Sequence, residues 1–321
     1  MKNKFIYILI LILIFILLIT IFSLYVFNSI EPMNDESPPI YIGNYTCRYF
    51  YDLGKSIYEK KDFNRDNEHS NLEFIKHLPT FLPYNYDNIR EQFIKDGIDD
   101  SWFDHTVDGF PNIYGSWEMK NLKTEKFWLA MKHLIHEIMD EAFIKSNLVK
   151  TVEYPVLHFR CADTPFSKWS GYLFQKYNFY KDALDEITTR VKKFDTVIIS
   201  YCNTHRSDTA SRNSCDVYIK SLVDYLESIG YKSKLECNHY LDDFATIFYA
   251  PAVISTGSSF SFMSGFFGKG VFISGGHEFY DDPKDYEYLQ QIGNWLYKGY
   301  NLPHSSVDDY HDTDKVIKML S

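Results

Sequence analysis

The sequence predicts an α/β protein built on a parallel sheet and preceded by a membrane-spanning segment. Three observations predict it. From about residue 150 onward, short apolar runs alternate with amphipathic helical stretches, the pattern of a sheet covered by helices on both faces. Two of those runs, at 155–157 and 252–254, break off abruptly into polar residues. Residues 5–27 are almost wholly apolar, interrupted only by Thr20 and Ser23.

The N-terminal run is long enough to cross a bilayer, which takes about 20 residues. Lys2 and Lys4 precede it, and Glu31, Asp35 and Glu36 follow it. The positive-inside bias therefore puts the short N-terminus in the cytoplasm and the body across the membrane. An uncleaved signal anchor over 1–27 is expected in preference to a cleaved signal peptide, whose apolar core is shorter and is followed by a small-x-small pattern. Pro32, Pro38 and Pro39 mark 28–40 as an extended stem.

Residues 41–150 are aromatic and acidic, with Pro-punctuated loops, and form the first expected domain. One helix is clear there: Phe127, Met131, Leu134, Ile135, Ile138, Ala142 and Phe143 recur at helical spacing. On its polar side stand His133, His136, Glu137 and Asp140. The spacing of His136 and Asp140 would suit a metal, but a solvated helix face is the expectation.

Residues 151–321 form the second expected domain. Strands are predicted at 156–159, 196–201, 232–235, 252–255 and 271–273. Helices fall at 174–192, around Val217, Leu222, Leu226 and Ile229 with Gly230 closing the turn, at 242–249 before Pro251, and at 260–267.

About 280 residues remain beyond the anchor and stem, enough for two ordinary domains or one large one. The formal net charge is −10, and no long basic run follows the first few residues, which argues against a nucleic-acid partner. Aromatic content is 18 %, which fits core filling and also suits sugar-stacking surfaces. The cysteines are Cys47, Cys161, Cys202, Cys215 and Cys237; in an oxidising compartment an odd count leaves at least one over. No CxxC spacing suggests zinc. Asn44-Tyr45-Thr46 is a glycosylation sequon just past the anchor and fits a lumenal stem.

Two segments carry chemistry. In Leu157-His158-Phe159-Arg160-Cys161-Ala162-Asp163 a strand ends in a clustered His, Arg and Asp. A guanidinium at a strand end binds a diphosphate through paired hydrogen bonds and always carries its charge. His158 shares a face with Arg160, and Asp163, three residues on, is expected to orient that Arg or to hydrogen-bond a sugar hydroxyl. In Ser255-Thr256-Gly257-Ser258-Ser259-Phe260-Ser261, Gly257 lets the chain turn, and Ser258, Ser259 and Ser261 open a helix whose N–H groups attract phosphate. Ligands of open parallel sheets bind beyond the carboxyl ends of the strands. A phosphorylated ligand, a nucleotide or nucleotide-sugar, is therefore expected.

Together, His-x-Arg-x-x-Asp at 158–163 and Ser-Ser-Phe-Ser at 258–261 resemble the alpha-1,2-fucosyltransferase family and the wider fucosyltransferase clan. The resemblance covers roughly residues 155–274. It implies a GT-B fold of two Rossmann-like domains, the C-terminal one binding GDP-fucose as donor substrate. It implies inverting, metal-independent transfer to a glycan or glycoprotein acceptor. It also implies a single-pass type II membrane protein with a lumenal, Golgi-like or otherwise extracytoplasmic catalytic domain. Arg160, His158 and Asp163 are then the catalytic candidates, and Arg160, Gly257, Ser258, Ser259, Ser261 and His277 the donor-binding ones. His277 and Glu278 follow the last strand and add to His158 and Asp163 as possible bases. Cys161 stands where the family usually has a second Arg, and Phe262-Met263 where it usually has two Trp. Another nucleotide-sugar donor, or a homologue that binds without transfer, is the alternative. A phosphate-directed hydrolase is a third reading, without a Gly-x-Ser-x-Gly motif to support it.

Overall fold

The computed structural model describes residues 42–65, 72–103, 106–107, 110–111, 122–161, 166, 174–202, 208–274, 302 and 306–321. The expected anchor and stem at 1–40, and Asp163, His277 and Glu278, lie outside them. Among the described residues no helix is long and apolar enough to cross a membrane. Tyr41–Ser321 cluster as one compact unit.

The N-terminal half supplies α1 (Ile42–Tyr58), α2 (Asp87–Lys95), α3 (Asp100–Phe103) and α4 (Leu122–Lys145). It also supplies two short antiparallel ladders, β1 (Phe63–Asn64) with β2 (Phe81–Leu82) and β3 (Thr106–Val107) with β4 (Phe110–Pro111). The C-terminal half runs β5 (Val156–His158), α5 (Tyr177–Arg190), β6 (Thr196–Ser200), α6 (Thr209–Ser228), β7 (Lys232–Glu236), α7 (Tyr240–Tyr249) and β8 (Ala252–Ser255). Then come α8 (Ser259–Ser261), a π-helical turn (Phe262–Phe266), β9 (Val271–Ser274) and α9 (Thr313–Leu320). All five predicted strands of this half form, and all are parallel, in the order β7-β6-β5-β8-β9. Among the described residues this is the one parallel sheet. The part of 41–150 that is described is helical with two small ladders, where two Rossmann-like halves had been expected.

Alternation along the strands splits the core into two layers. Leu157, Val197, Ile199, Ala252, Ile254 and Ile273 face α5, α6 and α9. Val156, Ile198, Val253 and Phe272 are buried on the other face. There Phe262 of the π-turn packs edge-on to Phe272, ring centroids 6.2 Å apart. Trp128 of α4 in turn packs on Phe262 and Phe267, at 5.9 and 5.7 Å. Phe262 and Met263, where the resemblance expected two Trp, are therefore core residues of this layer.

The polar side of α4 is not simply solvated. His133 is exposed beside Glu137, but His136 stacks on Phe248 at 5.2 Å and its Nδ1 lies 2.7 Å from the Phe267 carbonyl. Asp140 accepts a hydrogen bond of 2.6 Å from Tyr249. These groups fasten α4 to α7 and the turn after α8. The sequon also differs from expectation. It lies inside α1, where Thr46 is fully buried and its hydroxyl donates to the Ile42 and Gly43 carbonyls. A hydroxyl with main-chain acceptors within its own helix needs no solvent.

Two disulfides, Cys161–Cys215 and Cys202–Cys237, cross-link the second half, and Cys47 stays a buried free thiol. They close spans of 54 and 35 residues. On a chain-entropy reckoning each stabilises the fold by about 4 kcal/mol. Replacing Cys202 and Cys237 together by Ala should lower the unfolding free energy by roughly that amount. Urea unfolding followed by circular dichroism measures it, and an unchanged midpoint would show the bridge to be absent in solution.

Candidate functional site

The strand order reads third, second, first, fourth, fifth along the chain, so the connections leave β5 and β8 towards opposite sides. A crevice opens at the carboxyl ends of such a pair, and it is where open α/β sheets bind ligands. The register places His158 directly opposite Ser255. The two segments singled out in the sequence are therefore neighbours at that crevice.

Thr256 joins them. The Arg160 N–H donates to Thr256 Oγ1 at 3.0 Å, and the same hydroxyl donates to the His158 carbonyl at 3.2 Å. The Phe159 N–H still bonds the Ser200 carbonyl at 3.1 Å, so the extended backbone runs one residue past β5. Phe159 turns into the α5 and α6 layer, and Arg160 returns to the side of His158.

His158 is held under Phe260, rings stacked at 5.4 Å, and Phe260 rests on Phe244 at 5.1 Å. Its Nδ1 is buried with no hydrogen-bond partner. Burial, reinforced by the positive charge of Arg160, pushes its pKa down to about 3. The imidazole is neutral at physiological pH and too weak a base to hold a transferred proton. Left without a partner, that buried nitrogen costs about 1–3 kcal/mol.

The turn after β8 is made by Gly257, whose φ of +90° only glycine adopts without strain. Ser258 caps the helix, accepting from the Phe260 N–H at 3.2 Å. Ser261 and Ser255 share a hydrogen bond of 2.7 Å. Ser259 donates to Asn44 Oδ1 at 2.5 Å. The hydroxyls of Ser258, Ser259 and Ser261 thus build the turn, and what the turn has left to offer a ligand is main chain.

Asn44 and Gly43 of α1 escaped notice in the sequence as part of this site. A Cβ on Gly43 would lie 2.5 Å from the Phe260 nitrogen, so α1 meets the turn backbone to backbone. The only sign was the sequon, which points to the surface and misleads here. Asp243 in the first turn of α7 was also undervalued. It is buried, accepts from the Asn238 side chain at 3.0 Å, and burial raises its pKa.

Of the predicted residues, His158, Arg160, Gly257, Ser258, Ser259 and Ser261 come together; Asp163 and His277 lie outside the described residues. Among the described residues no group of three His, Cys, Asp or Glu is disposed to hold a metal ion. No protein-family model, curated protein or solved structure matches the chain.

Because His158 is protonated more readily in the unfolded chain, stability is lost as the pH falls from 6.5 towards about 3, and this proton-linked loss is absent above that window. The slope reaches about 1.4 kcal/mol per pH unit. His158→Gln should flatten the stability profile below pH 6.5 relative to the parent, measured by urea unfolding across pH; parallel profiles would contradict the buried neutral ring. Gly257→Ala should destabilise by about 1–2 kcal/mol through its left-handed backbone, seen as a lowered melting temperature.

Proposed function

We propose that the protein is a membrane-anchored inverting glycosyltransferase that moves fucose from GDP-fucose to a glycan or glycoprotein acceptor. One observation carries the reading. A strand ending in Arg160 and a Gly/Ser turn about a hundred residues later meet at the switch point of a Rossmann-ordered sheet. The reading keeps a GT-B division of labour, with 151–321 holding the donor and 41–150 on the acceptor side, although the described part of 41–150 is helical. The contact of Asn44 with Ser259 supports a role for that half beside the donor.

In the reaction the acceptor oxygen attacks the anomeric carbon as its bond to the diphosphate breaks. Negative charge grows on the departing diphosphate. Arg160 stabilises that charge more in the transition state than in the bound donor, and this difference is what accelerates the step. The N–H groups of Ser258 and Ser259 add neutral donors. His158, neutral and half-buried, orients; the acceptor proton falls to another base, with Asp163, His277 and Glu278 the candidates. The apolar segment at 5–27 and the two disulfides support an extracytoplasmic, oxidising location.

A second reading keeps the fold but changes the donor sugar, or keeps binding and loses transfer. It was favoured by Cys161 in place of a second Arg. The disulfide with Cys215 gives that residue a task of its own and weakens the inference of lost activity.

Thermal unfolding of the full chain in detergent, with nucleotides and nucleotide-sugars, tests the proposal. GDP or GDP-fucose at a hundred times its dissociation constant should stabilise by about 2.7 kcal/mol, with or without EDTA. Arg160→Ala should weaken GDP binding about 10- to 100-fold. A shift with uridine nucleotides alone changes the donor; no shift with any nucleotide removes the donor site.

A further inference from the structure

Arg160 is fixed on both flanks. On one side its N–H is tied to Thr256 of the β8 end at 3.0 Å. On the other the very next residue, Cys161, is bonded to Cys215 in α6, Cα atoms 5.9 Å apart. Both cysteines are buried. The chain is caught again five residues later, where Phe166 stacks on His311 at 4.6 Å and approaches Tyr310. The residues that receive these two pins belong to one body. Tyr218 of α6 donates to the Tyr310 carbonyl, and Ser214, beside Cys215, lies 3.3 Å from His311 Nδ1. Asp208 locks the start of α6, accepting from the Ser211 N–H at 2.9 Å.

Resting on the nucleotide-binding reading above, we propose that the Cys161–Cys215 disulfide is a positioning element for Arg160. It fixes the main chain of Arg160 at the crevice before the ligand arrives. A guanidinium binds phosphate oxygens well only when both of its parallel N–H groups are in register. Holding its backbone in place removes ordering cost that binding would otherwise carry. The chain thus offers one rigidly placed arginine where the resemblance leads one to expect two adjacent ones. Cys202–Cys237 closes 35 residues and joins the segments after β6 and β7; Cys202 follows the β6 partner of His158, but its bridge does not hold the residue next to Arg160, and it is the comparison bridge.

The test is a double-mutant cycle read by calorimetric titration of GDP into the full chain in detergent. The variants are Cys161→Ala/Cys215→Ala, Arg160→Ala, all three together, and Cys202→Ala/Cys237→Ala. Removing the Cys161–Cys215 bridge should weaken GDP binding about 10- to 30-fold, and adding Arg160→Ala should then cost less than about threefold more, because the two act through one contact. The control pair should leave GDP affinity within about threefold of the parent. Fully multiplicative losses, or an equal loss in the control pair, would overturn the positioning role while leaving the nucleotide site intact. Absence of binding by the parent to GDP and to every other nucleotide tried would instead bring down the nucleotide reading and this inference with it. If the Cys161→Ala/Cys215→Ala protein does not fold, Phe166→Ala tests the second pin. A roughly threefold or greater loss, again less than multiplicative with Arg160→Ala, supports the role, and a multiplicative loss or no loss overturns it.

Discussion

Two parallel strands whose chains leave in opposite directions cannot keep their ladder closed beyond the point of parting. Here that point is His158 opposite Ser255, and everything around it manages the opening. Main-chain groups released there need partners, since buried unpaired ones are costly. The Thr256 hydroxyl answers two of them at once, accepting from Arg160 and donating to His158. The remaining edge is lined by serine hydroxyls bonded to one another and to the turn. The crevice is thus a forced consequence of strand order, and its polar lining follows from satisfying the strand ends.

The second constraint is the aromatic layer on the face opposite α5 and α6. Phe244, Phe248, Phe260, Phe262 and Phe272 pack with Trp128 and Phe143 in successive edge-on and tilted contacts. The rings that brace His158 are the same rings that bind the N-terminal helices to the sheet. The helical N-terminal segment is therefore part of the wall of the crevice. Its closeness to the turn, with Gly43 against the Phe260 backbone, makes any reshaping of α1 a reshaping of the site.

The sheet was readable because four of its strands are short apolar runs set between amphipathic stretches; Lys232–Glu236, with Leu235 its one apolar residue, was read from its place between two helices. The 252–255 strand matched to the residue, and the others within one or two. The helix at 209–228 began earlier than its apolar residues suggested, because Asp208 caps a polar first turn. The 260–267 helix became a single α-turn and a π-turn, a distinction that hydrophobic spacing does not encode. At the site, residue types were legible and their engagement was not. Ser258, Ser259 and Ser261 look alike in sequence, yet each hydroxyl serves a different neighbour. Asn44 reaches Ser259 across more than two hundred residues, and no local pattern announces such a contact. Disulfide partners were equally hidden, since five cysteines alone fix no pairing.

Cys47 is the residue these pairings leave over. It lies fully buried in α1, and burial holds its thiol protonated far above the usual range. Thiol–disulfide exchange proceeds through the thiolate on an accessible sulfur. In the finished molecule Cys47 is therefore inert and cannot scramble the two bridges. During oxidative folding the situation is reversed, because an undocked α1 exposes a fifth sulfur of ordinary reactivity. The order of events then matters: a chain that packs its first helix before its cysteines are oxidised removes the competitor, and one that oxidises first must rely on isomerisation to recover the native pair.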